Sequence, residues 1–121
     1  MFLNKFVVKK CIAKEVYVIA HSRGGVCLHK LLTKFWYEFE LRVKAIALTD
    51  SAHKDIRDGL IDQNEEDWLT ENCKHFRRSD LRLGKKLDSM QDPAINAYSA
   101  GHAKHEYTTG TSWPLIQKFF C

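Results

Sequence analysis

The chain lacks any apolar run long enough for a membrane. Across its 121 residues, no stretch free of Asp, Glu, Lys and Arg exceeds eleven residues, whereas a spanning helix needs roughly 17–25 predominantly apolar ones. No secretory signal is expected either, because Met1-Phe2-Leu3-Asn4-Lys5 has no basic head leading into an apolar stretch and no small-residue cleavage site. Cysteines at metal or redox spacing are absent: Cys11, Cys27, Cys73 and Cys121 are scattered without a CxxC. Two disulfides would require export, which nothing signals, so reduced thiols in cytosol or nucleus are expected. There are no internal repeats, low-complexity tracts or Pro/Gly linkers, and this length fits one domain at most.

Hydrophobic residues make up 45% and charged residues 28%, which excludes wholesale disorder and collagen-like architecture. Six histidines prompt a metal test. His102 and His105 are three apart and could share a face, but no Cys or carboxylate completes a tetrahedral set, so neither metal nor cofactor is expected. Nineteen basic against fifteen acidic residues give a net charge of +4, below the charge concentration of a dedicated nucleic-acid binder. Lys74, Arg77, Arg78, Arg82, Lys85 and Lys86 nevertheless cluster against the single acid Asp80, a short way after the acidic segment 62–67. This reads as a solvated helix start followed by a solvated loop. Direct RNA or DNA binding there would be salt-dependent, and Phe76 alone gives no aromatic interleaving to stack bases.

Along the chain, Leu3, Phe6, Val7 and Cys11 predict an amphipathic helix over about Leu3–Ala13. Val16-Tyr17-Val18-Ile19-Ala20 is a continuous β-branched and aromatic run, suited to a strand covered on both faces. A helical pattern follows at Val26, Leu28, Leu31, Leu32, Phe35, Trp36 and Phe39. A second buried-strand run, Val43 to Leu48, ends in Thr49-Asp50. Strand, helix, strand predicts a right-handed parallel crossover. Beyond it, Asp67, Trp68, Leu69 and Cys73 suggest a helix with an acidic first turn. A strand near Lys74–Arg78 is expected despite Arg77 and Arg78, then a short strand at Ile95–Tyr98. Ser112-Trp113-Pro114-Leu115 is expected to open a final helix with Pro114 in its first turn. The fold class is α/β, with a mainly parallel sheet starting near the first strand and helices on both faces.

The informative segment is Ala20-His21-Ser22-Arg23-Gly24-Gly25. A nucleophile elbow places a serine on a tight strand-to-helix turn with small residues two positions either side, here Ala20 and Gly24. Gly25 would let the helix pack closely. The helix N-terminus and the Arg23 N–H would face a developing oxyanion. A serine is inert at neutral pH without a base, and the order serine, acid, histidine is available as Ser22, Asp50 and His105. Asp50 falls at the end of the second strand, where ligand-facing residues of open α/β sheets gather. Asp80 and Asp88 are competing acids and His102 a competing histidine, while His53 lies too close behind Asp50 to serve.

With Val-Lys-Ala-Ile-Ala-Leu-Thr-Asp-Ser-Ala-His and Ser-Ala-Gly-His-Ala-Lys-His-Glu-Tyr-Thr added to the elbow, the chain resembles the Argonaute-binding-protein-two domain family over about Val16–Phe120. That family includes animal cotranscriptional regulators and the C-terminal domain of some fungal class II histone deacetylases. The resemblance implies an α/β-hydrolase-like fold, of which residues 1–121 would be the C-terminal part, with the serine elbow at Ser22 and a histidine at His105. It implies Argonaute, chromatin and splicing proteins as partners and a nuclear or cytoplasmic location. Strands upstream of the elbow, and the loop that donates a second oxyanion N–H, are expected to be missing, which leaves the first strand on an uncovered edge. Arg23 puts a bulky cation beside the serine. A truncated, catalytically impaired paralogue acting as a binding module is expected, with a serine esterase at Ser22 as the alternative.

Overall fold

A computed structural model describes residues 15–59, 62–88 and 92–121; the expected helix over Leu3–Ala13 lies outside them. The elements are β1 (Val16–His21), α1 (Gly24–Lys34), α2 (Trp36–Arg42), β2 (Val43–Thr49), α3 (Gln63–Asn72), β3 (Cys73–Arg77), β4 (Lys86–Leu87), β5 (Asn96–Ser99) and α4 (Thr108–Phe120), the last preceded by a 3-10 turn at His105–Tyr107. The sheet runs β1-β2-β3-β5-β4. Its first four strands are parallel and β4 is antiparallel to β5. The protein is therefore an α/β fold on a mixed, mostly parallel five-stranded sheet.

The two faces follow from strand alternation. On β2, Ile46 and Leu48 join Leu28 and Leu32 of α1, Phe39 of α2 and Leu69 of α3 in one core. Ala47 points the other way and meets Phe76 and Ile116, with Leu115 and Phe120 of α4 beside them. Burial of β2 on both faces from Ala45 onward explains the unbroken apolar run Ala45–Leu48, with Lys44 exposed before it. β1 joins the first core through Ala20, Val18 and Val16, but it is not covered on both faces as its sequence suggests: Tyr17 and Ile19 on the other face are 43% and 40% exposed, with the Phe120 ring 5.1 Å from that of Tyr17. Among the described residues β1 forms one edge of the sheet.

Three local predictions need correction. The helical pattern after the elbow is two helices, because Phe35 leaves helical backbone at φ −124° and ψ 38° and its carbonyl starts α2 by accepting from Glu38 and Phe39. The break lets Trp36 pack edge-on against Trp68, ring centres 5.5 Å apart. The last helix begins at Thr108 rather than Ser112, so Pro114 sits inside it. Hydroxyls carry that first turn, with Ser112 donating to the Thr108 carbonyl at 2.5 Å and Thr111 to the Ala100 carbonyl at 2.6 Å. The basic stretch is not all loop, since Lys86-Leu87 form β4. Nor is it one surface: Lys74 packs its ammonium 4.7 Å over the Phe119 ring on the α4 side, while Arg77 lines a cavity with His75.

Candidate functional site

The site is built where β1 and β2 end. Ser22 and Asp50 follow these strands directly, and they are the two non-glycine residues with left-handed backbone among those described, at φ 54° and 43°. Such a conformation costs an L-residue roughly 1–2 kcal/mol. Tertiary hydrogen bonds hold both turns. The Ser22 N–H donates to the Thr49 carbonyl at 3.2 Å and the Asp50 N–H to the Phe76 carbonyl at 2.7 Å; the Ser22 carbonyl accepts from Ala52 at 2.9 Å and from Gly25 at 3.1 Å. The strand, tight turn and helix expected around Ser22 are all present. Ala20 is buried beneath the turn, and a Cβ on Gly24 would meet the Ala20 Cβ at an ordinary 3.7 Å. Gly25 is different, for a Cβ there would fall 1.6 Å from the Ser51 Oγ.

Asp50 and His105 come together across 55 positions of sequence. The His105 Nδ1–H donates to Asp50 Oδ2, which leaves Nε2 as the lone-pair nitrogen of the neutral ring. Asp50 is mostly buried and also accepts from the Arg78 N–H at 3.3 Å, whereas the Arg78 guanidinium is exposed at 3.6 Å and contributes little. His21, whose Nδ1–H donates to the Thr49 carbonyl at 2.9 Å, stacks on His105 with centroids 4.6 Å apart. Among the described residues, no hydrogen bond joins the Ser22 hydroxyl to His105. Arg23 is exposed and caps α1 through its carbonyl, which accepts from Val26 and Cys27. The competing candidates fall elsewhere: Asp80 and Asp88 are exposed, and His102 Nδ1 accepts from the Lys104 N–H.

Sequence reasoning misses a second cluster beside the first. The Ser51 Oγ lies 2.5 Å from His53 Nδ1, and His53 Nε2 bonds to Asp92 Oδ2. Asp92 Oδ1 accepts from the Ile56 N–H, and the Ser51 N–H donates to His75 Nε2 at 2.9 Å. Only 2% of the His53 side chain is exposed. Burial, with the neighbouring His53 and Arg77 adding to it and Asp50 opposing, pushes the His75 imidazole down to about 3; it is a neutral acceptor. The one legible trace of this cluster is Ser-Ala-His itself at 51–53, since the topology alone brings Asp92 to it. These residues open onto a cavity of about 620 Å³ that also receives Asp50, Lys54, Arg77 and Arg78. Among the described residues no group of three or more His, Cys, Asp or Glu is arranged to hold a metal ion, and no described helix is long and apolar enough to cross a membrane.

The Arb2 domain matches residues 1–83. The cotranscriptional regulator ARB2A homolog of Gallus gallus is 34% identical over 113 residues, covering 93% of this chain and 27% of that protein. The cotranscriptional regulator ARB2A of Homo sapiens is 33% identical over the same 93% of the chain and 27% of that protein. In Dictyostelium discoideum, the corresponding homolog is 35% identical over 91% of this chain and 29% of its own length. The chain thus spans about a quarter of the length of these curated relatives. No solved structure gives a significant match.

Proposed function

The chain belongs to the Arb2 domain family, and on that premise we propose that it is a regulatory protein of the cotranscriptional kind. It acts as a protein-binding module on an α/β-hydrolase-like frame and is catalytically impaired at Ser22. The observation that carries this reading is the likeness, over more than nine-tenths of the chain, to proteins named cotranscriptional regulators. Family resemblance supplies the partner classes, Argonaute and chromatin or splicing proteins, and a nuclear or cytoplasmic compartment. The geometry favours binding over hydrolysis at Ser22: a serine nucleophile needs a base on its hydroxyl, and Ser22 has none within hydrogen-bond reach among the described residues. The immobilised chain should recover Argonaute from nuclear extract above bead background. Recovery by a full-length relative but not by this chain would end the reading.

A second reading, serine-type ester hydrolysis at Ser22 with Asp50 and His105, draws support from the left-handed turn at Ser22 and the Asp50–His105 hydrogen bond. It expects Ser22→Ala to lose turnover of p-nitrophenyl acetate; equal rates in both proteins remove it.

A further inference from the structure

We propose that Ser51 is the activated serine of this chain, with His53 as its base and Asp92 as the group that positions His53, and that the adjoining cavity accepts an ester carrying negative charge. The proton positions follow from what each atom can donate. A carboxylate only accepts, so the neutral His53 ring carries its proton on Nε2 toward Asp92. Nδ1 is then the lone-pair nitrogen, and the Ser51 hydroxyl donates to it at 2.5 Å. That is the contact a nucleophile requires and the one Ser22 lacks. The His53 N–H, 3.3 Å from the same Oγ, adds a donor that steadies the oxygen.

The surroundings supply space and charge. About 620 Å³ lies within the usual range for a small-molecule site. Its carboxylates are engaged, Asp92 by His53, Asp50 by His105 and Asp55 by the Arg57 guanidinium. Of its cations, Lys54 has no carboxylate within ion-pair distance among the described residues, and Arg77 spends one N–H on the Asp88 carbonyl. Lys54 and Arg77 therefore offer charged N–H donors to the cavity they line, where a substrate carboxylate or a developing oxyanion can meet them. In the acyl step the Ser51 Oγ bonds to the ester carbonyl carbon while the bond to the leaving alkoxide breaks. The hydroxyl proton passes to His53 Nδ1 and from there to the alkoxide. Water repeats the sequence to release the acid and restore Ser51.

The test treats the full chain with a fluorophosphonate, which bonds to an activated serine oxygen and releases fluoride, then maps the adduct after trypsin. Ser51 lies in the tryptic peptide 45–54 and Ser22 in the peptide 15–23, so the two are distinguished by mass. The adduct is expected on 45–54, lost in Ser51→Ala, and formed on the order of 10²–10⁴ times more slowly in His53→Gln. The isosteric Asp92→Asn should also slow labelling while circular dichroism stays unchanged. p-Nitrophenyl hemisuccinate should be cleaved about tenfold more efficiently than p-nitrophenyl butyrate, a preference that Lys54→Glu abolishes. An adduct on 15–23, or none on either peptide, overturns the proposal.

Discussion

Gly25 and Ser51 stand so close that a single added carbon at Gly25 would lie 1.6 Å from the Ser51 Oγ and 2.7 Å from its Cβ. The start of α1 and the loop after β2 are fitted to each other, and this contact sets how near the elbow comes to the Ser51–His53–Asp92 cluster. Gly25→Ala should therefore cost about 1–3 kcal/mol through overpacking. Ser51→Gly in the same chain should recover most of the loss, because it removes both clashing atoms. Urea melts of the two single variants and the double variant measure the coupling. Additive losses would show that the fit is not tight.

The left-handed turn at Ser22 makes its own prediction. At φ 54° a Cβ is strained whatever the side chain, so Ser22→Gly should be more stable than Ser22→Ala by about 1 kcal/mol. The comparison isolates the backbone, since both variants lack the hydroxyl. If Ser22→Ala proves the more stable of the two, the turn is relaxed and the elbow geometry is wrong.

What the sequence shows of this architecture depends on periodicity. Ala45–Leu48 is legible as a strand because it is buried throughout and its apolar run is unbroken, and Val16–Ala20 because its β-branched and aromatic run is continuous, although Tyr17 and Ile19 lie on a half-exposed face. Asp50 and His105 can be paired from chain order and from the strand end on which Asp50 sits. β4 is not legible: two residues, Lys86 and Leu87, carry no pattern, and the segment is held by contacts such as the Ser99 N–H to the Lys85 carbonyl at 2.8 Å. The start of α4 is hidden because Thr108-Thr109-Gly110-Thr111 are poor helix formers, and only the fold supplies the Ala100 carbonyl that anchors Thr111. Asp92 is hidden for the same reason. Thirty-nine residues separate it from His53, and only the sheet order brings them together.

Thiol chemistry should divide the described cysteines. Cys27 and Cys121 are exposed, whereas Cys73 is 1% exposed at the start of β3. Burial, with the negative charge of Asp92 adding to it, pushes the Cys73 thiol far above the ordinary range, and the thiolate is the reactive form. A maleimide should modify Cys27 and Cys121 in native buffer within minutes and reach Cys73 only in denaturant. Peptide mapping reads each site separately. Native-state modification of Cys73 as fast as that of Cys27 would contradict the packing of β3 against the α3 side of the sheet.

His75 should make the fold sensitive to mild acid. Its Nε2 accepts the Ser51 N–H at 2.9 Å and so must stay unprotonated, and burial holds the ring at about 3 against an ordinary 6.5. The unfolded chain takes up a proton below about pH 6.5, while the folded chain resists until near pH 3. The His75 contribution is therefore complete above pH 6.5 and declines as pH falls through that window, by up to about 1.4 kcal/mol per pH unit. His75→Gln keeps an acceptor, through its amide oxygen, but removes the titration. Urea midpoints of the two proteins between pH 7.5 and 4.5 should then show the wild type losing stability more steeply than the variant, with the slopes separating below pH 6.5. Parallel slopes would mean that the ring takes up its proton in the folded protein, which would break the Ser51 hydrogen bond and loosen the loop that carries Ser51 and His53.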